Sequence, residues 1–436
     1  MTGTPSGVSR PARDPRHRWR PRRLGVLAAC MACLVVPLAD GFGREPVGVT
    51  DWDREIGRIG DAIAGLRSAA APGPAAIEHS RFAHLLYRRA GLTGSAGDLA
   101  AAGDAIDRSI RVGDGSDDAY LLKASLDLRL HRVAAARSGL AMLSSRAGGT
   151  QVELLKADIA LQEGRYDDAR RGYEAVLAHA RPWHALAQLA YLESRAGDPA
   201  VADRLYADAQ EEMSAKEMRP YAWVELQRGL LRLRRGQHDD AGAHYQRARQ
   251  AYSGDWLVDE HVAELLGSQG RFAAAAGAYE RILARVPRPE LQHALGDLYV
   301  FMGRRDLAAP WHDRALAAYL ESAGRGEVHY YHHLSSFYAD AREDGAAAVR
   351  WARLDAELRD NFATQEMLAW ALYRDRQYTE ALEQIAKPLA VGIVDAHLFF
   401  RAAMIFLAAG RSDDGAHLLR RAAEVNPRYT AFHVHR

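Results

Sequence analysis

The sequence predicts an all-α chain in which one helical hairpin recurs about nine or ten times. Three observations predict it. The stretch Trp256 to Pro287 (WLVDEHVAELLGSQGRFAAAAGAYERILARVP) reads as two amphipathic helices around Gly270. The same pattern returns with starts at 117, 150, 183, 222, 256, 289, 328, 362 and 396, spaced 33, 33, 39, 34, 33, 39, 34 and 34 residues apart. No strand-forming stretch of any length breaks the helical periodicity.

Within the unit, Asp255 is a good N-cap, and Val258, Val262, Ala263, Leu265 and Leu266 fall on one helical stripe. Gly270 can take the left-handed conformation that ends a helix, and Pro287 stops the second helix. Neither helix can bury its stripe alone, so each hairpin needs neighbours.

Three columns run through the copies. The eighth position is small throughout: Ala124, Ala157, Ala190, Gly229, Ala263, Gly296, Ser335, Ala369 and Ala403. So is the twentieth: Ala136, Ala169, Ala202, Ala241, Ala275, Ala308, Ala347, Ala381 and Gly415. Four residues later the side chain is large: Leu140, Tyr173, Tyr206, Tyr245, Tyr279, His312, Trp351, Ile385 and Leu419. Small columns let paired helices approach, and the large column fills the space between hairpins.

Gly164-Arg165-Tyr166, Gly270-Arg271-Phe272, and Leu295-Gly296 with Tyr299, carried on this period, resemble the tetratricopeptide repeat. The resemblance spans residues 76–427 and implies a right-handed superhelical solenoid. Departures are the scarcity of the usual first-helix Trp and Arg376 in place of a turn glycine. Five-residue insertions near 217–221 and 323–327 explain the two 39-residue gaps, and each is expected to lengthen a second helix.

In chain order, residues 1–39 read as an export signal. Seven arginines precede residue 24, and the apolar run Leu24 to Ala39 follows. Broken by Pro37, that run falls short of the roughly 20 residues a bilayer-crossing helix needs. Cleavage is the expectation, with an uncleaved N-terminal anchor as the open alternative. Leu27-Ala28-Ala29-Cys30 also matches a bacterial lipobox, making Cys30 a candidate for lipidation, although the apolar run continues beyond it. Both cysteines, Cys30 and Cys33, lie here, so residues 40–436 offer no thiol for a disulfide or a thiolate metal site.

Residues 40–75 form a spacer and a capping helix that starts at Thr50 or Asp51 and breaks at Ala71-Pro72-Gly73-Pro74. Residues 76–116 form a degenerate hairpin. The run Gly113 to Asp118 lacks the ligand spacing and closing glutamate of a calcium loop, so it is expected to cap the next helix. The array occupies 117–427. The tail, 428–436, carries Tyr429, Phe432 and Val434 and is expected to fold back over the last hairpin.

Total charge is balanced, 57 basic against 56 acidic residues, and without residues 1–39 it is 50 against 55. An acidic body without a basic stripe argues against nucleic acid, and it leaves the N-terminal segment as the only membrane contact. HExxH, Walker, GxSxG and post-strand GxGxxG signatures are all missing, so the chain reads as non-enzymatic.

The repeat resemblance implies that positions 2, 5, 9, 12 and 13 of each first helix face a concave groove. That places Asp158, Tyr191, Trp223, Leu226 and Leu230 early in the lining, and Glu260, Glu264, His293, Asp297, His329 and His332 in its middle. Glu366, Trp370, Tyr373 and His397 come late. Trp223, Leu226 and Leu230 at helical spacing suit a partner peptide or helix, or alternatively a covering segment of this chain. In the middle, each polar pair is three or four residues apart and shares a helix face. Imidazole with carboxylate suits a divalent transition metal, with His293, Asp297, His329 and His332 as candidate ligands; separate solvated residues are the alternative. No other cofactor is expected.

The leading expectation is a scaffold for protein–protein contact in the bacterial cell envelope, exported to the periplasm, that takes a protein or peptide partner in its groove. A periplasmic metal- or small-ligand-binding accessory, and an assembly factor for a secreted or outer-membrane complex, stay open.

Overall fold

The computed structural model describes residues 48–69, 76–113, 115–144 and 148–435. The export segment and the Cys30 lipidation reading lie outside these residues. Among the described residues every regular element is helical, and no helix is long and apolar enough to cross a membrane.

The first helix, α1 (Asp51–Ala69), opens on a reciprocal cap: the Thr50 hydroxyl donates to Asp53 Oδ2, and the Asp53 amide donates back to Thr50 Oγ1. Ten hairpins follow. The first four are α2 (Ala76–Thr93) with α3 (Ala96–Arg111), α4 (Asp117–Arg129) with α5 (Val133–Ala141), α6 (Thr150–Gln162) with α7 (Tyr166–Leu177), and α8 (Trp183–Ala196) with α9 (Pro199–Glu211). Next come α10 (Met218–Leu233) with α11 (His238–Ala251), α12 (Trp256–Ser268) with α13 (Phe272–Arg285), and α14 (Pro289–Phe301) with α15 (Arg305–Gly324). The last are α16 (Tyr331–Ser336) with α17 (Gly345–Ala356), α18 (Phe362–Arg374) with α19 (Tyr378–Ala390), and α20 (Ala396–Ala408) with α21 (Ser412–Val425). Ser116 caps α4 by accepting from the Ala119 amide, the role expected of the Gly113–Asp118 run.

The columns explain the packing. Every eighth-position residue is buried, and so is every twentieth except Ala347. Tyr173, Tyr206, Tyr245 and Tyr279 lie fully inside, each between adjacent helices. Gly229 is required by contact: a Cβ there would lie 2.2 Å from Tyr245 Cε1. At the fifteenth position, Gly164, Gly236, Gly270, Gly303 and Gly410 take positive φ, and His131 (φ 62°) and Arg376 (φ 61°) adopt the same turn without glycine.

Two expectations need correction. The insertion at 217–221 extends the first helix α10 rather than a second helix, whereas that at 323–327 does extend the second helix α15. In the eighth hairpin, a π-helical turn at Phe337–Ala341 adds one residue. The left-handed residue therefore moves to Glu343 (φ 55°), and Ala348, not Ala347, fills the small column, its carbonyl accepting from the Ser335 hydroxyl.

Solenoids ordinarily touch only neighbouring units. Here units six hairpins apart also touch. The Gln162 carbonyl accepts from the Asp360 amide at 3.0 Å, and the Arg195 carbonyl from the Val394 amide at 2.8 Å. Both acceptors hold the thirteenth position of their hairpin. The Trp52 and Trp256 indoles both donate to the Leu92 carbonyl, and Asp51 pairs with Ser253. The hairpins thus wind about six to a turn, with a hydrogen-bonded seam between successive turns.

The tail follows the same rule. Instead of covering only the last hairpin, it crosses the seam. Phe432, in a 3₁₀ turn (Phe432–His435), is buried against Gly267, Leu298 and Phe301, and the His433 amide donates to Ser268 Oγ. Tyr429 packs beside the core of the final hairpins.

Candidate functional site

The tight winding decides which lining residues are reachable. Leu226, Leu230, Glu260, Glu264, His293 and Trp370 are buried; Trp223, Asp297, His329, His332 and Tyr373 are partly exposed. The buried members of the expected lining are therefore out of a partner's reach. Six hairpins per turn press first helices and seam residues into the space that a looser coil would leave to a partner. Trp370, for example, donates its indole N–H to Asp340 at 3.0 Å, stacks on Tyr373 and lies under the Arg401 guanidinium.

An open channel of about 700 Å³ survives where α2, α4, α6, α8 and α10 face inward. Tyr87, Tyr191 and Trp223 supply rings there, and Gln162, Gln188 and Gln227 supply amides. Asp158 stands in the wall, accepting from the Tyr173 hydroxyl at 2.7 Å, and burial pushes its carboxyl up to about 6. Asp158, Tyr191 and Trp223 were legible as lining residues. Gln188 and Gln227, at the sixth position, were not, because the repeat rule omits that position.

The central polar residues do not converge. Glu264 accepts from His261 and from the tail's His433, each at 2.8 Å, so part of the expected lining is sealed by the chain's own C-terminus. His332 Nδ1 lies 3.4 Å from Asp355, whose carboxyl is held far below the usual range by His332 and Arg359 despite its burial. His329 is not on a helix: it sits in the turn before α16, its ring against Tyr330. His329 and His332 thus stand apart from His293 and Asp297, and the expected four-residue ligand set is corrected.

His293 and Asp297 meet His312 of α15 instead. His293 Nε2 lies 3.4 Å from Asp297 Oδ2, and His312 Nε2 lies 3.0 Å from Asp297 Oδ1. Among the described residues, this is the group of three that brings one ligand atom each within 4.8 Å of the others. The sequence places His312 in the large packing column, where the four preceding hairpins carry tyrosine.

A second cavity, of about 420 Å³, lies at the seam, lined by Arg195, Arg234, His261, Glu264, Asp395, His397 and His433. Arg195 and Arg234 hold the Asp395 carboxyl far below its usual range, against a strong opposing push from burial. His131, half-buried in the channel wall, has its imidazole pulled down to about 3 by burial and the nearby Arg359 charge.

No family model matches the chain, and no curated protein matches it. Among solved structures, a tetratricopeptide repeat protein from Parabacteroides merdae ATCC 43184 is similar, at 18% identity and a TM-score of 0.34, over 56% of this chain and 94% of that one. Human IFIT1 dimers are also similar. The form with m7Gppp-AAAA has 13% identity and a TM-score of 0.35, and the form with PPP-AAAA has 12% and 0.31; both cover 86% of this chain and 95% of theirs. Hairpins joined through small eighth and twentieth positions, most of them turning on a left-handed fifteenth, make the described residues an all-α helical-repeat solenoid, the architecture that the tetratricopeptide resemblance implied.

Proposed function

We propose that the protein is a non-enzymatic binding scaffold of the bacterial cell envelope that holds an extended segment of a partner protein in the channel of its first five hairpins. The channel carries this reading: three aromatic rings and three primary amides line about 700 Å³. Amides can hydrogen-bond both the N–H and the C=O of an extended backbone, and the rings bury side chains at low entropic cost. The acidic body disfavours a nucleic-acid occupant.

Selection of a random peptide library on the purified chain tests the channel. Enriched peptides should share a motif, and Trp223→Ala and Gln227→Ala should each weaken their binding at least tenfold. An unenriched library, or binding untouched by both changes, would refute the proposal. Export is tested separately by the mass of the mature N-terminus, which also reads out cleavage before residue 40 or lipid on Cys30.

The 420 Å³ seam cavity favours a second reading, a small-ligand accessory. Its two arginines, three imidazoles and two carboxylates suit a small polar molecule.

A further inference from the structure

We propose that His293, Asp297 and His312 form a divalent transition-metal site, separate from the channel of α2–α10. In the second array hairpin, the Tyr173 hydroxyl donates to Asp158 at the ninth position. In the sixth, His312 takes the place of the tyrosine and meets Asp297, also at the ninth position, at 3.0 Å. That exchange alone would only replace one hydrogen-bond donor with another. The hairpin adds a second imidazole, however: His293, one helical turn before Asp297, brings its Nε2 within 3.4 Å of the other carboxylate oxygen. Two imidazoles from different helices converge on one carboxylate.

The scaffold is built to hold this arrangement. Gly296 lets His312 lie directly on α14, since a Cβ at 296 would fall 2.1 Å from His312 Cδ2. Phe337 packs 4.9 Å from the His293 ring and 5.4 Å from the His312 ring, so both rings are walled and oriented. Both imidazoles are buried, whereas the Asp297 side chain is 23% exposed and leaves an approach from solvent.

The spacing fits an ion. Nitrogen and oxygen ligands at 2.0–2.2 Å from zinc in a tetrahedral site stand roughly 3.3–3.5 Å apart. The two imidazole–carboxylate separations here are 3.0 and 3.4 Å, and all three ligand atoms lie within 4.8 Å, so rotamer-scale closure completes three corners. The fourth corner is left to water or an external ligand. With imidazole and carboxylate and no thiolate, the set suits zinc, nickel or cobalt rather than copper(I). A bound ion would bridge α14 and α15 and stabilise that hairpin by linkage.

The test uses untagged, chelator-stripped full chain titrated with zinc chloride by calorimetry, with cobalt(II) absorption as a second readout. The expected result is one zinc per chain, with Kd below about 100 μM. His312→Tyr restores the column residue of the four preceding hairpins; it should keep the helical circular dichroism and weaken binding at least tenfold. Asp297→Asn should weaken it equally and stands in if the tyrosine fails to fold. His329→Ala, outside the cluster, should leave the affinity unchanged. Absence of binding below 100 μM, affinity retained by the folded ligand variants, or an equal loss in His329→Ala would each overturn the site.

Discussion

The Arg195 guanidinium donates to Asp395 Oδ2 at 2.8 Å, although 200 residues separate the two in the chain. Both side chains are nearly buried, at 11% and 9% exposure. The pair spans the seam between successive turns, and Asp395 also caps α20 by accepting from the His397 and Leu398 amides. One ion pair thus joins the winding of the coil to the start of its last hairpin.

Removing Arg195 leaves a buried carboxylate short of its main partner. Such losses cost about 3–5 kcal/mol, and the lower end applies here because Arg234 and two amides remain. Arg195→Leu should therefore lower urea-unfolding stability by about 3 kcal/mol, and Arg195→Leu with Asp395→Asn by less than the sum of the single changes. The Asp395 carboxyl is held below its unfolded value, so its stabilisation is present above the ordinary carboxylate range and is lost as pH falls below it. Arg195→Leu should accordingly unfold at a higher pH during acid titration.

Phe432 closes the seam at the other end, 1% exposed between α12 and α14. Phe432→Ala should cost about 3–4 kcal/mol, the usual range for a fully buried phenylalanine. Hydrogen exchange should rise in α12 and α14, four and three hairpins before the last one, as well as in α21. Exchange changes confined to the last hairpin would contradict the seam.

Arg376 turns with φ 61° at an exposed position where most other hairpins use glycine. A side chain in the left-handed region costs roughly 1 kcal/mol, so Arg376→Gly should raise stability by about 0.5–1 kcal/mol in denaturant melts. Gly270→Ala, at φ 76°, should lower it by about 1 kcal/mol.

Asp158 titrates in the opposite sense to Asp395. Burial raises its folded pKa to about 6, above the unfolded value, so its contribution is complete below the unfolded pKa and is lost as pH rises through about 6. Asp158→Asn keeps an acceptor for the Tyr173 hydroxyl and cannot ionise. The variant should match the parent's melting temperature near pH 4 and exceed it at pH 8, with the gap opening between those values.

Much of the candidate site was legible for a local reason. Position within a hairpin follows from helical spacing, so Asp158, Tyr191 and Trp223 could be assigned to the inner face, and His293 with Asp297 to one turn of helix. His312 was legible only as an odd member of a tyrosine column. His329 was misplaced because α16 starts three residues later than the repeat register, and Ala347 because a π-helical turn shifts the count by one. Both errors arise in the same hairpin, where the chain departs from the period that the other copies keep.

The sequence by itself determined the hairpins, their small and large columns, the left-handed turns and the caps. These depend on contacts three or four residues apart or between adjacent units, and such contacts leave a periodic trace. Only the tertiary structure decided how many hairpins make a turn, and with that which lining residues stay open and which are sealed by the seam and the tail. Winding is the sum of small rotations between successive hairpins, and no single repeat records it. The contacts that fix it, such as Gln162 with Asp360 and Arg195 with Asp395, join residues about two hundred positions apart whose types alone give no sign of meeting.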